Sequence, residues 1–132
     1  MNKNPKILKL IDEEWIVSNF NVDGNVDKEF VGEILNVYVT DIPIMIKELE
    51  TAFENKDAAV LKFYAHKLSG NLLNLGCESL VELCRSIETS IKKNDFDSEI
   101  SLLIFELKKS ITRLVIELFE LKVKYPVSRN NQ

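Results

Sequence analysis

The sequence predicts an all-α fold: an antiparallel up-down four-helix bundle with an additional short N-terminal helix. Three features carry this. Only 4 glycines and 3 prolines punctuate 132 residues, which favours a few long elements over many short strands. Apolar residues recur at three- and four-residue steps through most of the chain. The segments between those runs are short, and short connections force consecutive helices to lie antiparallel. The length is that of one domain with a proper core.

Residues Ile7 to Phe20 form the first amphipathic stretch, with Leu8, Ile11 and Trp15 on one stripe. NVDGN, residues 21–25, is a turn centred on Gly24. A long helix starts near Val26 and carries Phe30, Ile34, Tyr38, Met45, Leu49 and Phe53 at helical spacing. Pro43 is expected to interrupt it, with Thr40 and Asp41 able to cap a kink or a restart. Asp57 caps a third helix from Ala58 to about Leu75, and Gly76 supplies a left-handed C-terminal cap. A fourth helix, about Glu78 to Lys93, buries Leu80, Leu83, Cys84, Ile87 and Ile91. Asn94 or Asp95 caps a fifth, whose stripe runs through Ile100, Leu103, Leu107, Ile111, Leu114, Leu118 and Leu121. After Lys124 the segment YPVSRNNQ offers little to bury. The expected division is a 1–10 N-terminal extension, an 11–124 helical bundle and a 125–132 flexible tail.

Composition narrows the function classes. A hydrophobic fraction of 45% with 29% charged residues is that of an ordinary soluble protein. The net charge is −4, with the basic residues scattered. That leaves no electrostatic footprint for nucleic acid or an anionic membrane. The apolar runs are too short to span a bilayer, and the N-terminus lacks a secretory pattern, so a cytoplasmic location is expected. Cys77 and Cys84, if carried by one helix, sit about 10 Å apart along its axis, beyond disulfide reach. Two reduced, structural thiols are expected, and with a single histidine there is no zinc-ligand spacing and no metal site.

That histidine, His66, decides the functional reading. A helix turns about 100° per residue, which puts Leu61, Tyr64, Leu68, Leu72 and Leu75 within about 60° of the point opposite His66. These five are the expected core stripe of the third helix. His66 therefore points to solvent, surrounded by Ala59, Lys62, Phe63, Ser69, Gly70 and Leu73. Gly70 costs the helix roughly 1 kcal/mol relative to alanine. A glycine one turn from an exposed imidazole removes bulk, so that another protein can approach. Phe63 and Leu73 add apolar area of the kind that marks a contact site. Ala59, Phe63, Gly70 and Leu73 are accordingly the candidate docking residues.

The stretch AHKLSGNLLNLGCESLVELCRSIE, residues 65–88, resembles the signature of histidine-containing phosphotransfer (Hpt) domains. Ala65, His66, Leu68, Gly70, Leu75, Gly76, Leu80 and Glu88 match that pattern in order. EFVGEILNVYVTDIP, residues 29–43, is similar to the family's preceding helix, and the likeness extends from about Ile11 to Lys122. One position departs from it. The family usually has lysine three residues after the histidine, and Ser69 stands there. Lys62 lies within about 20° of Ser69 in rotation and is expected to supply the missing charge, with Ser69 donating a hydrogen bond. Lys67, about 100° away, is less well aimed.

The resemblance implies a phosphorelay intermediate rather than an enzyme with its own ATP site. His66 would accept a phosphoryl group from a receiver-domain aspartyl phosphate and pass it to another receiver aspartate. Lys62, Ser69 and Lys67 would stabilise the phosphate. It implies response-regulator receiver domains as partners, including those of hybrid histidine kinases, with Mg²⁺ on the receiver and no cofactor on this chain. A monomer is expected. No glycine-rich phosphate loop is present, in keeping with that reading. The alternative is a non-transferring helical module that docks on receivers, which the replacement of lysine by Ser69 makes conceivable. A hydrolase with His66 as general base lacks a nucleophile–base–orienter set.

Overall fold

The computed structural model describes residues 9–91 and 96–128. Helix α1 spans Glu13–Asn19, and the strands β1 (Asn21–Val22) and β2 (Asn25–Val26) form a minimal hairpin. Then follow α2 (Lys28–Glu54), α3 (Ala58–Asn74), α4 (Glu78–Ile91) and α5 (Ser98–Lys122). Each of the four long helices packs against two neighbours: α2 on α3 and α5, and α4 on α3 and α5. That is the expected four-helix bundle, with α1 laid against α3. The 21–25 turn is a two-residue ladder closed by Asp23 (φ 51°) and Gly24 (φ 78°). Both residues are left-handed, as a tight hairpin turn requires.

Caps fix where the helices begin. The Asp12, Asp27, Asp57 and Asp97 carboxylates accept from backbone N–H groups of the first turns of α1, α2, α3 and α5. Asp57 acts as expected; for α5 the cap is Asp97, whereas Asn94 and Asp95 lie outside the described residues. The residues before Lys9 in the expected first helix, and Leu8 with them, also lie outside. At its C-terminus α3 closes through Gly76 (φ 73°). The Gly76 N–H donates to the Leu73 carbonyl and the Cys77 N–H to the Leu72 carbonyl. This paired closure needs a left-handed residue at Gly76.

Pro43 does not break α2, which runs unbroken past it and presents Leu35, Ile42, Met45, Ile46 and Leu49 to the core. The proline removes one backbone donor, but apolar burial on both sides holds the two halves in a single helix. On α3 the buried stripe is Leu61, Ala65, Leu68, Leu72 and Leu75. Ala65 takes the fully buried place expected of Tyr64, which is only half-buried. Leu83 and Leu103 are likewise half-buried, and Ile104 lies deeper.

The expected boundaries at residues 10/11 and 124/125 do not coincide with breaks in packing. Leu10 packs on the core. Buried Glu117 of α5 accepts from the Leu10 and Ile11 N–H groups (2.8 and 3.1 Å) and from Arg113 Nε (3.2 Å). Tyr125 is buried, and its hydroxyl donates to Glu13 Oε2 at 2.7 Å. Burial and this carboxylate push the Tyr125 pKa up to about 12, while Lys124 and Tyr125 hold Glu13 below its ordinary value. The chain reaches this seat because Gly32 has no side chain; a Cβ there would collide with the Tyr125 carbonyl.

Gly32→Ala is therefore expected to lower the unfolding free energy by about 1–3 kcal/mol, the usual range for overpacking. Urea unfolding checks this, and an unchanged midpoint would show that Tyr125 is not seated against α2. Cys77 and Cys84 are free and buried, and burial pushes both thiols up to about 12. In the folded chain at pH 8 both should resist a thiol-specific disulfide reagent, and both should react once urea unfolds it. Rapid labelling of either thiol in the native protein would contradict the packing.

Candidate functional site

The His66 face is built by α3 and α4, the most extensively packed helix pair of the bundle. Ala65 and Leu68 flank His66 in sequence and are wholly buried. Their burial leaves the imidazole facing outward, with its side chain 80% exposed. Ile87 and Cys84 anchor α4 in the core, which turns Glu88 towards α3. Its carboxylate Oε1 lies 3.5 Å from His66 Nδ1 and is itself only 19% exposed. That separation is an electrostatic contact, longer than a tight hydrogen bond. A hydrogen carried on Nδ1 would face this carboxylate, and the Nε2 lone pair would then point to solvent.

A shallow depression beside the imidazole is lined by Ala59, Lys62, Phe63, His66, Lys67 and Glu88. Two of the candidate docking residues, Ala59 and Phe63, thus lie beside His66. Gly70 is exposed, and a Cβ built there meets no atom within 4 Å. The open space is what a clearance role requires. Leu73 lies about two turns further along α3. It is exposed but lines a separate depression with Glu82 and Arg85.

The candidate phosphate-stabilising residues fall out differently from expectation. The Ser69 hydroxyl donates to the backbone carbonyl of His66 at 2.8 Å, so its proton is committed to the helix and not to a ligand on the imidazole. This is the ordinary local bond of a mid-helix serine. Lys62 and Lys67 both line the depression, so the expected advantage of Lys62 is not a matter of reach alone. Lys67 Nζ sits 5.8 Å from the Phe63 ring centroid, a cation–π contact that ties it to the apolar wall. Sequence reasoning matched Glu88 to a family pattern but gave it no role. Its position 22 residues after His66, on the next helix, hides the contact from helical periodicity.

α1 braces the end of this platform. Trp15 Nε1 donates to the Leu73 carbonyl at 2.8 Å and Asn19 Nδ2 to the Asn74 carbonyl at 3.2 Å. These carbonyls belong to the last turn of α3; that of Leu73 accepts from the Gly76 N–H as well. Among the described residues no group of three or more histidine, cysteine or acidic side chains is placed to hold a metal ion. Among them, too, no helix is long and apolar enough to cross a membrane.

An outward imidazole on an antiparallel bundle, with an acidic residue from the next helix at its Nδ1, accords with a family match over residues 33–116 to the Hpt domain. This chain belongs to the Hpt domain family. The Hpt chain is 29% identical over 85 residues to the phosphorelay intermediate protein rdeA of Dictyostelium discoideum. That match covers 64% of this chain and 33% of the relative, so the chain spans about a third of that relative's length. Its fold is similar to histidine-containing phosphotransfer protein B (HptB) of Pseudomonas aeruginosa PAO1, with a TM-score of 0.77 at 20% identity. The superposition covers 89% of this chain and 97% of HptB, and it bears on the fold.

The open space at Gly70 generates a prediction for the Hpt surface. Gly70→Gln should raise the melting temperature slightly, since glycine is the poorer helix former by nearly 1 kcal/mol. The same change should slow phosphoryl transfer by crowding the approach to His66. Equal transfer rates for variant and parent would show that the glycine is not there for clearance.

Proposed function

We propose that His66 is the phosphoryl acceptor, taking the group from a receiver aspartyl phosphate and returning it to the aspartate of another receiver. The observation that carries this reading is the exposed imidazole with the Glu88 carboxylate 3.5 Å from its Nδ1. Nε2 attacks the phosphorus, a nitrogen–phosphorus bond forms, and the bond to the aspartyl oxygen breaks with its electrons leaving on the receiver carboxylate. The Nδ1 proton stays in place, so the phosphorylated ring carries positive charge, which Glu88 offsets. No proton has to be moved, and the reverse transfer follows the same path. Phosphoryl transfer is largely positioning and electrostatic stabilisation. This chain supplies the rigid nucleophile, the Glu88 carboxylate and lysines beside the incoming group. The receiver brings its own acidic residues and Mg²⁺, and the carrier needs neither ATP nor a cofactor.

Lys62 is the candidate to replace the family's lysine, because Ser69 has its hydroxyl proton engaged. An exposed charge contributes under about 1 kcal/mol in water, and more once a docked receiver excludes solvent. A second reading, docking on receivers without transfer, is favoured by the same Ser69 observation. Incubation with a phosphorylated receiver separates the two. Label should move to the parent chain as acid-labile phosphate and should not move to His66→Gln, whose melting temperature should match the parent. Binding without any labelled carrier would establish the second reading, and a labelled His66→Gln would overturn the assignment of the acceptor.

The same assay ranks the lysines. Lys62→Ala should slow transfer more than Lys67→Ala, with the difference shrinking at high salt. Ser69→Lys added to Lys62→Ala should restore much of the rate. Equal effects of the two alanine variants would make Lys62 ordinary surface.

A further inference from the structure

α5 carries two apolar stripes where a bundle helix needs one. The inner stripe, through Ile104, Leu107, Ile111 and Leu114, fills the core. On the opposite side Leu102, Phe105, Ile116 and Phe119 are 62%, 59%, 55% and 52% exposed. Lys109 and Thr112 complete that outer stripe, so its steps run three, four, three, four, three. This is the spacing of a coiled-coil seam. Lysines lie over two of these rings: Lys109 Nζ is 5.7 Å from the Phe105 ring centroid and Lys122 Nζ 5.0 Å from that of Phe119, while Phe105 also borders a depression shared with Phe53 of α2.

The stripe is also a palindrome about the midpoint between residues 110 and 111. Turned through a two-fold axis there, α5 would set Leu102 against Phe119 of a second copy, Phe105 against its Ile116 and Lys109 against its Thr112. Each first-stripe residue of the heptad then meets a fourth, as an antiparallel pair of helices requires. A parallel pair would instead stack Lys109 on Lys109. On one flank Glu106, which lies 3.7 Å from Lys109 within the chain, would face Arg113 of the other copy, whose Nε is engaged by Glu117 but whose outer nitrogens would meet that carboxylate; the symmetry makes the pair twice. Self-complementarity of this kind belongs to an isologous contact and has no use against an unrelated partner. The polar pair at the centre fixes register, since any slip would bury Lys109 against an apolar side chain.

The geometry points to a homodimer of this chain, joined antiparallel through the outer face of α5, in place of the monomer expected from sequence. α3 packs on α2 and α4, the two neighbours of α5, and so lies diagonally across the bundle from it. The dimer would leave both His66 faces outward, each open to its own receiver. The inference does not depend on His66 being the acceptor.

The mass of the full chain in solution tests it, by light scattering from micromolar to millimolar concentration, with Ile116→Glu as the variant. The parent should approach twice the chain mass as concentration rises. Ile116→Glu, at an exposed position, should keep the parent's helical content and melting temperature but stay at one chain mass. Lys109→Cys chains mixed with Thr112→Cys chains should form a disulfide-linked dimer several-fold more readily than either variant alone, with Cys77 and Cys84 buried and silent. A parent that stays at one chain mass throughout would overturn the proposal. So would a dimer untouched by Ile116→Glu, or Lys109→Cys chains that link to themselves as readily as to Thr112→Cys.

Discussion

The period of the α-helix is the constraint on which this molecule rests. α3 can bury one stripe, and Leu61, Ala65, Leu68, Leu72 and Leu75 claim it. With Ala65 inward, the next residue must face out, and His66 is that residue. Each fully buried leucine contributes about 1.5–3 kcal/mol relative to an exposed one, so the cost of rotating α3 far exceeds any preference of the imidazole. The imidazole is therefore turned outward by packing elsewhere on its own helix, not by contacts of its own.

A rigid presentation still needs the correct ring nitrogen outward, and that task falls to α4. Cys84 and Ile87 seat the helix, and Glu88 projects from its edge to Nδ1. The same carboxylate, after burial itself, helps to push up the Cys84 pKa. The remaining contributors act at longer range: α1 ties itself to the carbonyls at the end of α3, and Glu117 ties the chain before α1 to α5.

What could be read from the sequence was whatever obeys local periodicity. The core stripe of α3, the Asp57 cap, the Gly76 closure and the outward His66 are all set by residues within a few turns of one another. Most of the departures have long-range causes. Pro43 looked like a break because the burial that holds α2 straight comes from other helices. Tyr125 looked like loose tail, yet its partner Glu13 is 112 residues away and its seat depends on Gly32. Glu88 carried no visible role because its contact crosses from α4 to α3. Ser69 was assigned to the phosphate when its own backbone offered a nearer acceptor. The outer stripe of α5 follows local periodicity as well, and what separates it from the inner one is which face the other helices cover.

The central claim is that packing and Glu88 together present Nε2 of His66 for reaction. The position of the nitrogen–phosphorus bond in the phosphorylated, ¹⁵N-histidine-labelled chain tests it most directly. With one histidine in the sequence, the ³¹P–¹⁵N coupling can arise at only one ring. The account predicts that coupling at Nε2, with Nδ1 still carrying its proton. A phosphoryl group on Nδ1, or no phosphorylated histidine at all, would contradict it.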